Sequence, residues 1–230
     1  MKRRLRKFRK IRIHREGTNQ LLYGGIALVA IAILLWNCFE TKVPFWCFLT
    51  VFGICYGIIL NFYRSPARFL NVKDTGDLVV APADGRVVVI EEVEENEYFH
   101  DRRLLISIFM SLWNVHVNWF PVDGKVQFIR HQNGNYHRAW LPKASEENER
   151  ADTMITALNG QDVLCRQIAG AVARRIITYA KADEECYIDE HLGFIKFGSR
   201  VDVYLPIGTE VCVKMGQTTT GDQTIIAKLK

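Results

Sequence analysis

The first part of the chain contains two long apolar stretches. Residues 21–39 and 43–62 contain no charged side chain, and each approaches the ~20 residues that a helix needs to cross a bilayer. Glu40, Thr41 and Lys42 separate them, so the pattern predicts two transmembrane helices joined by a tight turn. A buried core helix or a cleavable signal peptide would also be apolar. Two stretches in tandem, without a small-residue cleavage site, favour the membrane hairpin.

From Asp77 onward the chain consists of short runs with a period near two, rich in β-branched residues and separated by Gly, Asp, Asn and Pro. Such runs predict strands, and many short strands separated by turns indicate a mainly β body of the sandwich or barrel class. Residues 171–182 fit either a helix or a strand, and residues 142–150 fit a loop or a short helix. The predicted strands are residues 86–93, 104–109, 126–130, 153–158, 163–169, 194–197, 201–205, 210–214 and 224–229.

The basic charge is concentrated at the start of the chain. Nine Lys and Arg residues lie within the first 16 positions against one Glu, although the 230-residue chain has a formal net charge of only +5. Basic segments remain on the cytoplasmic side of a membrane, and Arg64 and Arg68 extend this bias beyond the hairpin. We therefore expect the cell (inner) membrane, with the body on its cytoplasmic side. The tail is expected to meet anionic lipid, not nucleic acid.

Composition and pattern together predict three parts. Hydrophobic residues make up 49% of the chain and charged residues 24%, which excludes a disordered protein. The predicted parts are a basic cytoplasmic tail (residues 1–20), a membrane hairpin (residues 21–63) and a β-rich domain (residues 64–230).

The six cysteines form no metal-binding pattern in the sequence. Three lie in the apolar stretches and three in the body, without a C-x-x-C pair or a Cys/His cluster of zinc spacing. Their even number leaves disulfides open, but a cytoplasmic body keeps thiols reduced. We interpret the cysteines as small apolar fillers and expect no metal.

Three short patterns combine residue types that can carry chemistry. They are residues 81–87 (APADGRV), residues 113–124 (WNVHVNWFPVDG) around His116, and residues 193–202 (GFIKFGSRVD). An Asp-Gly or Gly-Ser pair between strands is ordinarily a turn, and a single His among aromatic residues is ordinarily a core residue. Taken alone, none of the three establishes a site.

Seven motifs follow one another along the chain: IHREG (13–17), FYRSPAR (62–68), APADG (81–85), NVHVN (114–118), KASEENER (143–150), QIAG (167–170) and FGSRVD (197–202). In this order they resemble the short form of phosphatidylserine decarboxylase, a family of pyruvoyl-dependent membrane enzymes. The resemblance extends over nearly the whole chain, and FGSRVD is its most specific part.

This resemblance implies decarboxylation of phosphatidylserine to phosphatidylethanolamine and CO₂ in phospholipid biosynthesis. The precursor would cut itself between Gly198 and Ser199, giving a β chain (residues 1–198) and an α chain (residues 199–230). Ser199 would become a covalent pyruvoyl group, the pyruvate cofactor, which forms a Schiff base with the substrate amine and accepts electrons as CO₂ leaves. The implied partners are phosphatidylserine, anionic membrane lipid and the two chains of a β/α heterodimer, with a higher oligomer left open.

The residue types fit this chemistry. A serine hydroxyl needs a base that a third group orients, and Asp84, His116 and Ser199 follow the Asp-His-Ser logic of hydrolases. A His side chain, with a pKa of about 6.5, suits both removal of the Ser199 proton and later protonation of the product carbon. Long forms of the family carry a second His three positions after the first, where this chain has Trp119. His137 is the nearest substitute by composition, and we expect it on an exposed loop.

Two hypotheses from other classes remain open at this point. The APADGRV segment also suits a membrane-anchored, non-catalytic lipoyl-like adaptor, although the modifiable Lys at a hairpin tip is not found. A membrane serine protease would also need Ser and a base, but it would not explain a self-cleavage site near the C-terminus.

Overall fold

The chain is mainly β, as predicted. The structure, a computed structural model, describes residues 12–72, 74–134, 148–170, 175–196 and 199–230. Its residue contacts divide the chain into two compact units, with the boundary between Ala67 and Arg68. Within the described residues, both helices belong to the first unit and the long strands to the second.

The first unit consists of two helices and a short pair of strands. Its elements are β1 (Arg12–Ile13), α1 (Arg15–Cys38), α2 (Val43–Phe62) and β2 (Arg64–Ser65). The helices are long and apolar enough to cross a membrane. The Tyr56 hydroxyl donates to the Leu21 carbonyl at 2.8 Å, and the Trp36 and Phe45 rings pack edge to face at 5.0 Å. These contacts hold the two helices together as a hairpin.

Helix α1 begins at Arg15, six residues before the first apolar stretch. His14 is its N-cap, and the Glu16 N–H donates to His14 Nδ1 at 3.4 Å. The His14 N–H donates to the Tyr63 carbonyl at 2.8 Å, beside the antiparallel β1–β2 pair. His14, which the sequence places in the basic tail, is therefore buried and connects the two ends of the hairpin.

The second unit is built from fourteen described strands. Six long strands, joined by five antiparallel pairings, form most of its hydrogen-bonded ladder. The strands are β3 (Leu78–Val80), β4 (Gly85–Glu95), β5 (Asp101–Met110), β6 (Val117–Trp119), β7 (Gly124–Gln132), β8 (Arg150–Ala157), β9 (Asp162–Ala169), β10 (Ile176–Thr178), β11 (Glu185–Cys186), β12 (His191–Ile195), β13 (Ser199–Pro206), β14 (Glu210–Val211), β15 (Thr218–Thr219) and β16 (Ile225–Lys228).

An eight-stranded antiparallel sheet with the order β11-β7-β8-β9-β13-β5-β4-β15 forms the frame of this unit. It curls into a half-barrel. Two three-stranded sheets complete the unit, with the orders β10-β12-β6 and β14-β16-β3. The strand β13 lies in the interior of the large sheet, between β9 and β5, so each of its edges is paired.

The inner face of the large sheet carries the apolar core. Along β13 the side chains alternate, because successive residues of a strand point to opposite faces. Val201, Val203 and Leu205 join the main core cluster together with Ile106 and Ile108 of β5. By the same alternation, Ser199 at the start of β13 belongs to this inner face.

The outer face carries a buried network of charged side chains. Arg166 Nε donates to Asp152 Oδ1 at 2.6 Å, and Arg166 Nη2 donates to Glu97 Oε2 at 3.0 Å. Arg150 Nη2 also donates to Glu97 Oε2, at 2.6 Å. Burial raises the pKa of Glu97, but a hydrogen bond from Gln132 and the neighbouring arginine charges outweigh it, so the pKa lies below its usual value of 4.5. Because Glu97 lies in the turn after β4, the network attaches this turn to the outer face of the sheet.

The long strands agree with the predicted ones to within a few residues. The prediction missed β3, β6, β11 and β15, which have two or three residues each and are too short to show an alternation. The predicted strand at residues 210–214 forms only over Glu210–Val211. Residues 171–182 fitted either a helix or a strand, and their described part contains the strand β10.

The cysteines agree only partly with their interpretation as fillers. Cys165 and Cys186 are buried in the core, but Cys212 is exposed, and so are the three cysteines of the hairpin helices. The filler interpretation is therefore wrong for Cys212. All six are free thiols.

Candidate active site

Ser199 lies at the start of the central strand and is fully buried. It pairs with Met110 of β5 on one side and with Ala169 of β9 on the other. Its hydroxyl donates to the Met110 thioether, with Oγ 3.2 Å from Sδ. A thioether is a weak acceptor, so this contact orients the hydroxyl without holding its proton strongly.

A chain of buried polar side chains leads away from this contact. Asn118 Nδ2 lies 3.6 Å from Met110 Sδ, and Gln167 Nε2 donates to Asn118 Oδ1 at 2.7 Å. Thr178 Oγ1 in turn donates to Gln167 Oε1 at 3.1 Å. Gly193 leaves room for this chain, because a Cβ there would lie 2.8 Å from Gln167 Nε2. The chain links β5, β6, β9 and β10 around Ser199.

His116 immediately precedes β6 and is fully buried. Its Nδ1 lies 3.0 Å from the backbone carbonyl oxygen of Asn114, and its own carbonyl accepts the Ile195 N–H at 3.2 Å. A carbonyl oxygen can only accept, so in the neutral ring Nδ1 carries the proton and Nε2 is the basic nitrogen. The backbone of Asn114 thus selects the tautomer of His116.

Asp84 is held by Arg68 and by a backbone N–H. Arg68 binds it through both terminal nitrogens: Nη2 donates to Oδ2 at 2.9 Å, and Nη1 donates to Oδ1. The Gly221 N–H donates to Oδ1 at 2.8 Å, and Arg68 Nη1 also donates to the Gly221 carbonyl at 3.1 Å. The side chains of Arg68 and Asp84 are each 12% exposed. This bidentate pair is of the strong, charge-assisted kind.

Trp119, at the position of the second His of the long forms, packs beside this ion pair. Its ring lies 5.0 Å from the Arg68 guanidinium and meets the His191 ring edge to face at 5.7 Å. Only a glycine fits at position 221, because a Cβ there would lie 2.6 Å from the Trp119 ring. Trp119 is therefore a packing residue that supports the Arg68–Asp84 pair.

The structure places Ser199 and Asp84 at one end of the large sheet, but it does not join all the predicted residues. Ser199 of β13 pairs with Met110 of β5. Gly85, which follows Asp84, packs against the carbonyl of Phe109, the residue before Met110. Among the described residues, Asp84 hydrogen-bonds to Arg68 and Gly221, and His116 is not one of its partners. The catalytic roles of Asp84, His116 and Ser199 stay predictions. Gly198 and His137 lie outside the described residues.

Sequence reasoning did not identify three residues that contact this site. Arg68 was present in the FYRSPAR motif, but nothing marked it as a ligand of Asp84. Met110 and Gln167 reach the site through cross-strand pairing. Among the described residues, no group of three or more His, Cys, Asp or Glu side chains is arranged to hold a metal ion.

Known proteins match the chain over most of its length. The family model described as phosphatidylserine decarboxylase matches residues 56–227. The phosphatidylserine decarboxylase proenzyme of Phocaeicola vulgatus is 61% identical over 227 residues, 99% of each chain. The proenzyme of that name from Bacteroides thetaiotaomicron is 62% identical over 227 residues, again 99% of each chain. The one from Porphyromonas gingivalis is 46% identical over 219 residues, 95% of this chain and 99% of the relative.

These matches define the class as lipid-metabolising decarboxylases. The chain belongs to the phosphatidylserine decarboxylase family, as its motifs indicated. It is therefore an enzyme, and the adaptor and protease hypotheses are set aside.

Proposed function

We propose that the chain is the precursor of a pyruvoyl-dependent enzyme that converts phosphatidylserine to phosphatidylethanolamine and CO₂. The observation that carries this proposal is the burial of Ser199 at the first position of a central strand, with its hydroxyl on a thioether. A turn serine would be exposed, and a structural serine in a sheet core would normally find a stronger acceptor. The name proenzyme that the relatives share also agrees with a processed precursor.

The first reaction uses only the chain itself. Ser199 Oγ attacks the carbonyl carbon of Gly198, and the peptide bond shifts to an ester. Loss of the Ser199 α-proton then expels the Gly198 carboxylate, which breaks the ester and ends the β chain. The dehydroalanine left at position 199 takes up water and releases ammonia, which leaves the pyruvoyl group at the start of the α chain. All atoms come from Ser199, Gly198 and one water molecule.

We assign the base of the first step to His116. Because the Asn114 carbonyl keeps the proton on Nδ1, we assign the removal of the hydroxyl proton to Nε2, the basic nitrogen of the ring. The orienting role that hydrolases give to an Asp thus falls to a backbone carbonyl in this chain. Burial of His116 excludes bulk water as a competing proton acceptor.

We propose that Asp84 acts from within its ion pair. The carboxylate supplies a fixed negative charge near the start of β4, and Arg68 and the Gly221 N–H hold it in one orientation. We assign to this charge the stabilisation of the imidazolium that forms when His116 accepts the Ser199 proton. Replacement of Asp84 should therefore slow self-cleavage without abolishing the fold.

In the second reaction the pyruvoyl group supplies the electron sink for decarboxylation. The residues of this chain provide the surroundings: Met110 and Asn118 line the approach to position 199. To His116, protonated at Nε2, we assign the return of a proton to the substrate α-carbon after CO₂ leaves. Both reactions thus use one histidine, which accounts for a site with Trp119 in place of a second.

The placement of the enzyme follows from its substrate. We propose that residues 1–20 are a basic tail, residues 21–63 the membrane hairpin and residues 64–230 the catalytic domain, with the last on the cytoplasmic side. A phospholipid stays in the bilayer, so anchoring the enzyme there keeps the site close to its substrate. The helices α1 and α2 have the length and composition this requires.

The test is a time course of chain scission followed by intact-mass measurement of the small chain. We expect two chains, with a pyruvoyl group at position 199. Ser199→Ala should remain uncut, His116→Ala should be uncut or very slow, and Asp84→Asn should be slowed. His137→Ala is the matched control and should process normally. Circular dichroism of each variant confirms that the fold is kept.

Two results would contradict the assignment. A small chain with an unmodified serine at its start would exclude the pyruvoyl group. Cleavage of His116→Ala at the wild-type rate would remove His116 from the first reaction and leave it at most a role in decarboxylation.

A further inference from the structure

The loop between β5 and β6 presents large apolar side chains to solvent at the Ser199 end of the sheet. Leu112 is 51% exposed and Trp113 is 64% exposed. The loop begins directly after Met110, which contacts Ser199, and its last residue is His116. Exposed apolar residues beside a functional site indicate a contact surface. We call Leu112 and Trp113 the Leu112–Trp113 tip.

The backbone of this loop is fixed. The side-chain oxygen of Asn114 accepts both the N–H and the hydroxyl of Ser111, at 2.8 and 2.7 Å, and the Asn114 N–H donates to the Ser111 carbonyl at 3.0 Å. These bonds close a tight turn with Leu112 and Trp113 at its apex. The hydrogen bonds of the turn therefore fix the backbone that carries these two exposed apolar side chains.

Basic side chains flank the same end of the sheet. The Lys196 N–H donates to the Arg175 carbonyl at 3.3 Å, and the preceding residue, Ile195, bonds to the carbonyl of His116. Arg175 is exposed and Lys196 is half-buried. Glu149 lies at the same edge, where its carboxylate accepts the Ile176 N–H at 3.4 Å. Within the described part of this rim, Arg175 and Lys196 supply positive charge, which complements an anionic lipid surface.

We propose that the Leu112–Trp113 tip inserts into the interfacial layer of an anionic bilayer and brings the substrate headgroup to Ser199. Trp and Leu side chains partition into this layer, and neighbouring cations strengthen the contact with anionic lipid. A phospholipid headgroup can then enter the site while its acyl chains stay in the bilayer. The proposal rests on the proposed function for its substrate and goes beyond it, since the contact belongs to the body and not to α1 and α2.

The first test compares two substrates with the full chain. In Leu112→Ser/Trp113→Ser, we expect kcat/KM for bilayer phosphatidylserine to fall roughly tenfold or more, mainly through KM. For a dispersed short-chain phosphatidylserine it should change by less than about twofold, because no bilayer contact is needed. The matched control is Leu158→Ser/Ile207→Ser, which removes apolar side chains of similar exposure (59% and 48%). Both control positions follow the far ends of their strands, roughly 20 Å from Ser199 along β13.

Three results would overturn the proposal: an unchanged rate on bilayer substrate, an equal loss on both substrates, or an equal loss in the control. An equal loss on both substrates would show that the loop shapes the site and does not contact the lipid.

A second test does not depend on catalysis. The full chain is placed in phosphatidylglycerol vesicles whose acyl chains carry bromine, which quenches nearby tryptophan fluorescence. Subtracting the spectrum of Trp113→Phe isolates Trp113 from the other four tryptophans of the chain. We expect strong quenching of this difference, and weaker quenching in vesicles of neutral phosphatidylcholine. An unquenched difference would refute insertion even if the serine variant failed to process. Quenching without chain scission in the wild type would instead disprove the proposed function and leave the lipid contact standing.

Discussion

Replacing Arg68 by Met tests how strongly the site depends on the ion pair with Asp84. The change removes both hydrogen bonds to the carboxylate and the bond to the Gly221 carbonyl, and it leaves Asp84 with the Gly221 N–H. Breaking a buried pair by removing one partner costs about 3–5 kcal/mol. Because each side chain is 12% exposed, water can reach the abandoned carboxylate, and we take the lower end, about 3 kcal/mol.

The assay is urea or thermal unfolding of the full chain in detergent, with Ser199→Ala as the parent so that every molecule is uncut. A loss of about 3 kcal/mol corresponds to a fall in Tm of roughly 6–12 °C for a domain of this size. Arg68→Lys should lie between the parent and Arg68→Met, because it keeps the charge but not the bidentate geometry. In the cleavable chain, Arg68→Met should slow scission, because Asp84 is no longer fixed.

A double-mutant cycle separates the pair from its surroundings. In the Asp84→Asn background, Arg68→Met should cost only about 1 kcal/mol, from lost stacking on Trp119. The reasoning would be refuted if Arg68→Met cost the same in both backgrounds, or if it left stability and scission unchanged in the parent.

Three further predictions concern other groups. The pKa of Glu97 lies below its usual value in the fold, so Glu97 stabilises the fold at neutral pH, and this stabilisation is lost as the pH falls below about 4.5. The free energy of unfolding of Glu97→Gln should therefore depend less steeply on acid pH than that of the parent. Equal slopes of this free energy against pH would contradict the prediction. Burial raises the pKa of the Cys165 thiol, and it raises the pKa of Cys186 to about 12. A maleimide at neutral pH should therefore label Cys212 and spare Cys165 and Cys186, as counted by mass spectrometry; rapid labelling of either would count against their burial. A chain without residues 1–62 should still cut itself but lose turnover of bilayer substrate; an uncut product would show that the apolar helices belong to the folding core.

The parts of the fold that the sequence predicted are those with long local patterns. The strands β5, β9 and β13 have eight or more residues each and contain runs of apolar and β-branched residues, so a local stretch of sequence is enough to predict them. Strands of two or three residues form because a neighbouring strand pairs with them, and a local pattern cannot reveal that. The same limit applies to the site. Ser199 stands out through its motif, whereas Met110 becomes its neighbour only through the register of β5 and β13.

Arg68 and Asn114 show a second limit. A motif identifies residue types, but it does not say which partner a side chain takes. The expected partner of His116 was Asp84, and the structure provides the carbonyl of Asn114, two residues away. A backbone group can orient an imidazole as well as a carboxylate can, and every residue carries one, so sequence alone cannot single it out.

The interior position of β13 determines how the two product chains stay together. Scission before Ser199 would leave a small chain whose first strand is hydrogen-bonded on both edges to strands of the large chain, while β15 and β16 pair with β4 and β3. The small chain therefore cannot leave without dismantling the sheet, and no covalent link is needed to retain it. Folding of the precursor is a unimolecular process, but reassembly after unfolding of the cut enzyme requires two molecules to meet, so its yield depends on concentration. The precursor would unfold and refold reversibly, whereas the cut enzyme would stay folded because it unfolds slowly.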